Sequence, residues 1–155
     1  MLRRISSDPI ADVIEYVLRD VLDLAMGNPD NHGRNTALRK TADGEIRLSP
    51  LFDFAPMKLS AAVIVRSTKW ECMKADGRDY DPDWKVVCEA AAGDDLPADE
   101  IVKALCEKET LIRSLPDIGR RHGLSDDVIG TAFAAHEDIA DAIAEMKRAS
   151  TRSVA

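Results

Sequence analysis

The sequence predicts a mainly helical domain with one short β-hairpin, and three observations point that way. Hydrophobic residues make up 45% of the 155-residue chain and aromatic residues only 5%, so the core has to be Leu, Ile, Val and Ala, which suits helices packed on helices. Apolar residues recur at three- and four-residue intervals in long stretches toward both ends of the chain. Between them, Asp43-Gly44 is a turn signal flanked by two short alternating segments. At this length the chain reads as one domain with enough interior to fold without staples.

The elements follow in order. Ser7 or Asp8 caps a helix that Pro9 opens, because a proline in the first turn lacks an N–H that would have no partner there. Ile10, Val13, Ile14, Val17, Leu18, Val21, Leu22, Leu24 and Ala25 form its apolar face, and Gly27 ends it. Its acidic residues, Asp12, Glu15, Asp20 and Asp23, read as the solvated face. A polar loop spans residues 27–35, and the hairpin then runs through Thr36-Ala37-Leu38-Arg39 and Ile46-Arg47-Leu48 to a stop at Pro50.

Residues 55–82 have no clear period, and Ala61 to Val65 suit a strand or a helix start equally. Asp76, Asp79, Asp81 and Asp83 resemble a calcium loop, but the closing Glu is missing, so the segment reads as an exposed acidic loop. Lys58, Arg66 and Lys69 follow the loop site and are candidates for its substrate side.

From Asp83 onward the pattern is helical: 84–92 up to Gly93, 97–108, 109–121 with Pro116 interrupting, and 125–148. Val128, Ile129, Ala132, Phe133, Ala135, Ile139, Ile143 and Met146 form the packed stripe of the last helix, with His122 and His136 as ordinary helix-end and helix-surface residues. The tail from Ala149 on has nothing to bury, so the domain is expected to cover residues 1–149, with 150–155 a disordered tail.

Composition removes several function classes. A net charge of -7 and a pI near 5.0 argue against a broad nucleic-acid surface, which needs Lys and Arg against phosphates. Cys72, Cys88 and Cys106 are odd in number and widely spaced, without a Cys-x-x-Cys or a His pair nearby, so neither a zinc site nor a disulfide framework is expected. The basic start, Met1-Leu2-Arg3-Arg4, leads into no apolar core of a signal peptide, and no apolar run is long enough for a membrane span. A reducing cytoplasm is the setting these features predict.

The chemistry concentrates in Gly27-Asn28-Pro29-Asp30-Asn31-His32-Gly33-Arg34-Asn35 and Ser49-Pro50-Leu51-Phe52-Asp53-Phe54-Ala55. Asp30 and Asn35 are five apart, and Asp53 lies 18 residues beyond Asn35. The hairpin between them is expected to bring Asn35 back to Asp53. Phosphoryl transferases of the protein-kinase type use this order of groups, with an Asp that accepts the substrate proton and an Asn and a second Asp that hold magnesium. Magnesium prefers hard oxygen ligands and keeps several waters, so one carboxylate, one amide oxygen and the phosphates of ATP suffice.

Gly-Asn-x-Asp-x-His-x-x-Asn, a hairpin and Leu-x-Pro-x-Phe-Asp, here residues 27–35 and 48–53, resemble the catalytic loop and metal-binding segment of the HipA-like serine/threonine kinases, toxins of bacterial toxin–antitoxin pairs. The resemblance implies a helical C-terminal kinase lobe with Asp30 as catalytic base and Asn35 and Asp53 as ligands of Mg2+. It also implies ATP and a protein hydroxyl as co-substrates. His32 and Arg34 are candidates for the cofactor side of the site. His32 suits packing under the loop with a bond to a backbone carbonyl, and Arg34 either screens the transferring phosphoryl group or solvates the loop. Asn28 reads as a brace for the loop. Ala55 stands where ordinary protein kinases have the Gly of Asp-Phe-Gly, which puts that hinge's flexibility in question.

Such a kinase also uses a sheet-rich N-terminal lobe with a phosphate-covering loop and a strand Lys, and residues 1–26 contain no Lys. A separate polypeptide or another segment is therefore expected to complete the site. A reading from another class is a catalytically silent helical module that binds a partner such as an antitoxin or a transcriptional regulator. A magnesium-dependent hydrolase would explain the carboxylates but not the whole loop pattern.

Overall fold

In the computed structural model, residues 1–62, 64–76 and 82–152 are described. A short α1 (Leu2–Ile5) leads into α2 (Pro9–Ala25), and β1 (Leu38–Lys40) pairs antiparallel with β2 (Ile46–Leu48), in the register Leu38 with Leu48 and Lys40 with Ile46. Two 3-10 turns follow at Met57–Leu59 and Glu71–Asp76, then α3 (Trp84–Ala91), α4 (Ala98–Cys106), α5 (Glu109–Arg113), α6 (Leu115–Arg121), α7 (Asp126–Ala132) and α8 (His136–Arg152). The fold is mainly helical, as the sequence predicts, with one two-stranded hairpin among the described residues.

The core is aliphatic, as its composition requires. Val17 and Val21 of α2, Val87 of α3, Ile101 and Leu105 of α4, Ile112 of α5 and Ile143 of α8 are all sealed from solvent. Helix α8 lies against α4 and α5, and α2 packs on α3, α4 and α8.

Helix α2 starts as expected: Asp8 caps it by accepting from the Ala11 N–H at 3.1 Å. It stops at Gly27, whose φ of +66° lies in the left-handed region. A side chain there would overlap the Ala132 carbonyl oxygen of α7, and the Gly27 carbonyl accepts from the Lys58 N–H at 2.9 Å. The start of the polar loop is thus wedged between α7 and the 57–59 turn.

The acidic side of α2 corrects the sequence expectation. Asp12, Asp20 and Asp23 are buried, at 3%, 3% and 6% exposure, not solvated. Each is buried because another part of the chain supplies donors to it. Asp12 takes the Ser6 hydroxyl at 2.5 Å, the Arg47 guanidinium at 3.1 Å and the Leu48 N–H at 3.1 Å, and so pins the second strand of the hairpin to α2. Burial pushes its carboxyl up, but the Ser6, Leu48 and Arg47 donors together outweigh that and hold it below the usual range. Asp12→Ala leaves the Leu48 N–H buried without its acceptor and is expected to cost about 2 kcal/mol in urea unfolding at neutral pH. A loss below about 0.5 kcal/mol would show the pin to be dispensable.

The expected helix over 125–148 divides into α7 and α8. Phe133 leaves the helix with ψ of +24°, and its own ring is buried against Gly119 and the rest of the core. The break lets Ile129, Ala132 and Phe133 on one side, and Ile139, Ala140 and Ile143 on the other, all face inward. Helix α8 also runs to Arg152, past the expected fraying point at Ala149. Residues 61, 62, 64 and 65 form neither strand nor helix, and Val63 and most of the expected acidic loop, residues 77–81, lie outside the described residues.

Candidate functional site

The loop after α2 and the segment after the hairpin meet at one cleft. Asp30, Asn35 and Asp53 line one small cleft together with Asp20, Asp23, Asn28 and Asn31. The hairpin thus closes the 18-residue gap between Asn35 and Asp53 as expected. The Ser49 N–H donates to the Ala37 carbonyl at 2.8 Å just beyond the last ladder pair, which sets where the second segment leaves the sheet.

The loop holds itself together largely through side chains. The Asn28 side-chain oxygen accepts from the Asp30 N–H at 3.2 Å, and the Asp30 carbonyl accepts from the Asn35 side-chain amide at 3.0 Å. With its nitrogen committed in this way, Asn35 keeps its amide oxygen, a hard ligand, for other use. The Asp30 carboxylate is 32% exposed and lies 3.6 Å from His32 Nε2. Asp53 is exposed and sits at φ +53°, the one non-glycine residue at positive φ among those described. Asp tolerates this region better than most side chains, and the strain is of order 1 kcal/mol.

Beneath the loop is a polar layer that the sequence reading missed. Asp20 accepts from the Asn31 amide at 2.8 Å and the Trp70 indole N–H at 2.6 Å, and it pairs with the Arg66 guanidinium. Arg66 is 2% exposed and donates through Nε to the Thr68 carbonyl at 2.8 Å. It is therefore a buried brace, where the sequence had offered it for the substrate side. Burial pushes the Asp20 carboxyl up, and the Arg66 charge and the Trp70, Arg66 and Asn31 donors act against that. Asp23 accepts from the Asn28 amide at 2.6 Å, and burial, opposed by that bond, takes its carboxyl up to about 7. Asn28 is the brace expected of it.

The other expected residues fall beside the cleft. Arg34 is exposed and does not line it. His32 sits half-buried next to Asp30, and its Nδ1 is buried without a partner, so the expected carbonyl bond is not made there. Lys58 is an exposed residue of the 57–59 turn. His122 ends α6 and His136 opens α8, as ordinary helix-end residues do.

A helical lobe that gathers two carboxylates and a carboxamide into an oxygen-rich cleft, on loops braced from below, is the class that fold and site define. The chain belongs to the HipA-like C-terminal domain family, whose model matches residues 1–111. That span takes in α2, the polar loop, the hairpin and Asp53. No curated protein and no solved structure matches the chain. Among the described residues, no helix is long and apolar enough to cross a membrane.

The donor set fits magnesium as a shared ion. Among the described residues no three His, Cys, Asp or Glu side chains are grouped to hold a metal. Asn35 and Asp53 would supply two hard oxygens and leave the remaining positions to phosphate and water. The innermost part of the cleft offers about 20 Å3, which is room for an ion or a water.

Proposed function

We propose that this chain is the catalytic lobe of a serine/threonine protein kinase, the toxin of a bacterial toxin–antitoxin pair, acting on ATP and a protein hydroxyl. The observation that carries the reading is the meeting of Asp30, Asn35 and Asp53 in one cleft, with the Asn35 amide nitrogen tied down and its oxygen left over. Asp30 is the base: its half-exposed carboxylate orients the substrate hydroxyl and takes its proton. Asn35 and Asp53 hold magnesium, which when bound neutralises charge on the phosphates of ATP. A phosphate-covering loop and a Lys come from an N-terminal lobe, on this or a separate polypeptide. The antitoxin is a further partner, and the cytoplasm is the setting.

The test is calorimetric titration of the chain with ATP, with and without magnesium, on the wild type and Asp53→Asn. Magnesium-dependent binding, weakened at least about tenfold in the variant, is the expected result. The midpoint of thermal unfolding should move by less than about 2 °C, because Asp53 is exposed and Asn also tolerates its φ. Binding that ignores both magnesium and the substitution would turn the reading toward a silent, partner-binding module.

A further inference from the structure

Asp23 is an odd residue to bury. It sits near the end of α2 at 6% exposure, where a leucine would pack at no electrostatic cost, and among the described residues its one hydrogen-bonded side-chain partner is Asn28. A buried carboxylate with one neutral donor is poorly compensated. Stability alone gives no reason for it.

The bonds that leave Asn28 supply one. The Asp23 carboxylate holds the Asn28 amide at 2.6 Å, and the Asn28 oxygen holds the Asp30 N–H at 3.2 Å. The Asp30 carbonyl then holds the Asn35 amide at 3.0 Å. The Asn28 N–H adds a second tie, donating to the Asp23 carbonyl at 2.7 Å. One continuous line of hydrogen bonds runs from a rigid helix to Asp30 and then to Asn35. An Asn28 amide without its acceptor would be free to turn, and the Asp30 N–H would lose its partner with it.

We infer that Asp23 is a positioning residue of this site: through Asn28 it sets the backbone of Asp30 and the side-chain orientation of Asn35. The inference rests on the kinase reading for its purpose, but not for its geometry. Asp20 does a different job. It holds Asn31 and, through Arg66 and Thr68, the segment after Asp53, since the Thr68 N–H donates to the Asn31 carbonyl at 3.2 Å.

The experiment compares Asp23→Leu, which fills the volume and removes the acceptor, with Asp23→Asn, which keeps an acceptor oxygen. Asn28→Ala cuts the same line from the loop side. Far-UV circular dichroism checks folding, amide hydrogen exchange reads the Asp30 N–H, and calorimetric titration with Mn2+ reads the cleft. The expected result for Asp23→Leu and Asn28→Ala is exchange at Asp30 at least about tenfold faster, with the amides in the middle of α2 unchanged, and Mn2+ affinity lower by a similar factor. Asp23→Asn should behave as wild type in both. If Asp23→Leu fails to fold, Asn28→Ala and Asp23→Asn decide. Unchanged exchange at Asp30 in the folded variants would overturn the positioning role, as would equal damage from Leu and Asn. A wild type that takes up no Mn2+ would count against the kinase reading alone, because the exchange comparison still decides the role of Asp23.

Discussion

Asp20→Ala is expected to lower the unfolding free energy by about 3–5 kcal/mol, because it leaves the Arg66 guanidinium charged and buried without the carboxylate it is paired with. The guanidinium cannot escape by losing its proton. The Trp70 indole and the Asn31 amide lose their acceptor in the same step. For a chain of this size a loss of that order lowers the thermal midpoint by roughly 10 °C or more. The companion variant Asp20→Leu with Arg66→Met removes both charges and should recover much of the loss, since apolar pairs of similar volume replace buried ion pairs at little cost. Urea and thermal unfolding measure both. A loss below about 1 kcal/mol for Asp20→Ala would mean that water reaches Arg66 and that the layer under the loop is not dry.

Asp23→Asn should do the opposite and stabilise the protein, but only on the alkaline side. Burial raises the Asp23 carboxyl from 3.8 to about 7. Between those values the folded protein keeps a proton that the unfolded chain has released, so stability falls as pH rises through this window and the full penalty stands above it. At about 1.4 kcal/mol per unit, the rise of some three units corresponds to roughly 4 kcal/mol. Asparagine does not ionise and keeps an oxygen for the Asn28 amide. The variant should therefore match wild type near pH 4 and exceed it by up to this amount at pH 8. Asp12 titrates on the acid side and contributes equally to both proteins, so it cancels in the difference. Thermal midpoints of the two proteins from pH 4 to 8 make the test. Curves that run parallel would show that Asp23 ionises as an ordinary carboxylate.

Much of the fold was open to reading because it rests on local rules. The Asp8-Pro9 start, the Gly27 stop and the Asp43-Gly44 turn each have a mechanism confined to a few residues, and each appears where expected. The three residues at the cleft were legible for another reason: their types and spacing are chemistry, and the hairpin that joins them is local too. The layer below was not legible, because a period count treats every Asp on a helix as solvated. Yet at about 100° per residue Asp12, Tyr16, Asp20 and Asp23 fall within some 80° of one another, beside the stripe of Val13, Val17 and Leu24. An acidic band next to an apolar stripe becomes readable as buried only when its donors are known. Those donors, Arg47, Arg66 and Trp70, come from 35 to 50 residues away. The break at Phe133 is hidden in the sequence for a similar reason, since a helix with unbroken apolar spacing gives no local sign that its two halves must face different neighbours.

The hairpin has a consequence for how such a site can change over time. The hairpin is fastened along β2 by Ser7 and Asp12 and at its base by the Ser49–Ala37 bond, while its tip from Ala42 to Glu45 is exposed and lines no part of the cleft. The two halves of the cleft are therefore joined by a clasp whose far end is free to lengthen. Insertions at that tip would be silent at the cleft, because loop closure costs grow slowly with length, so the separation of Asn35 and Asp53 along the chain is a matter of history while their meeting is a matter of structure.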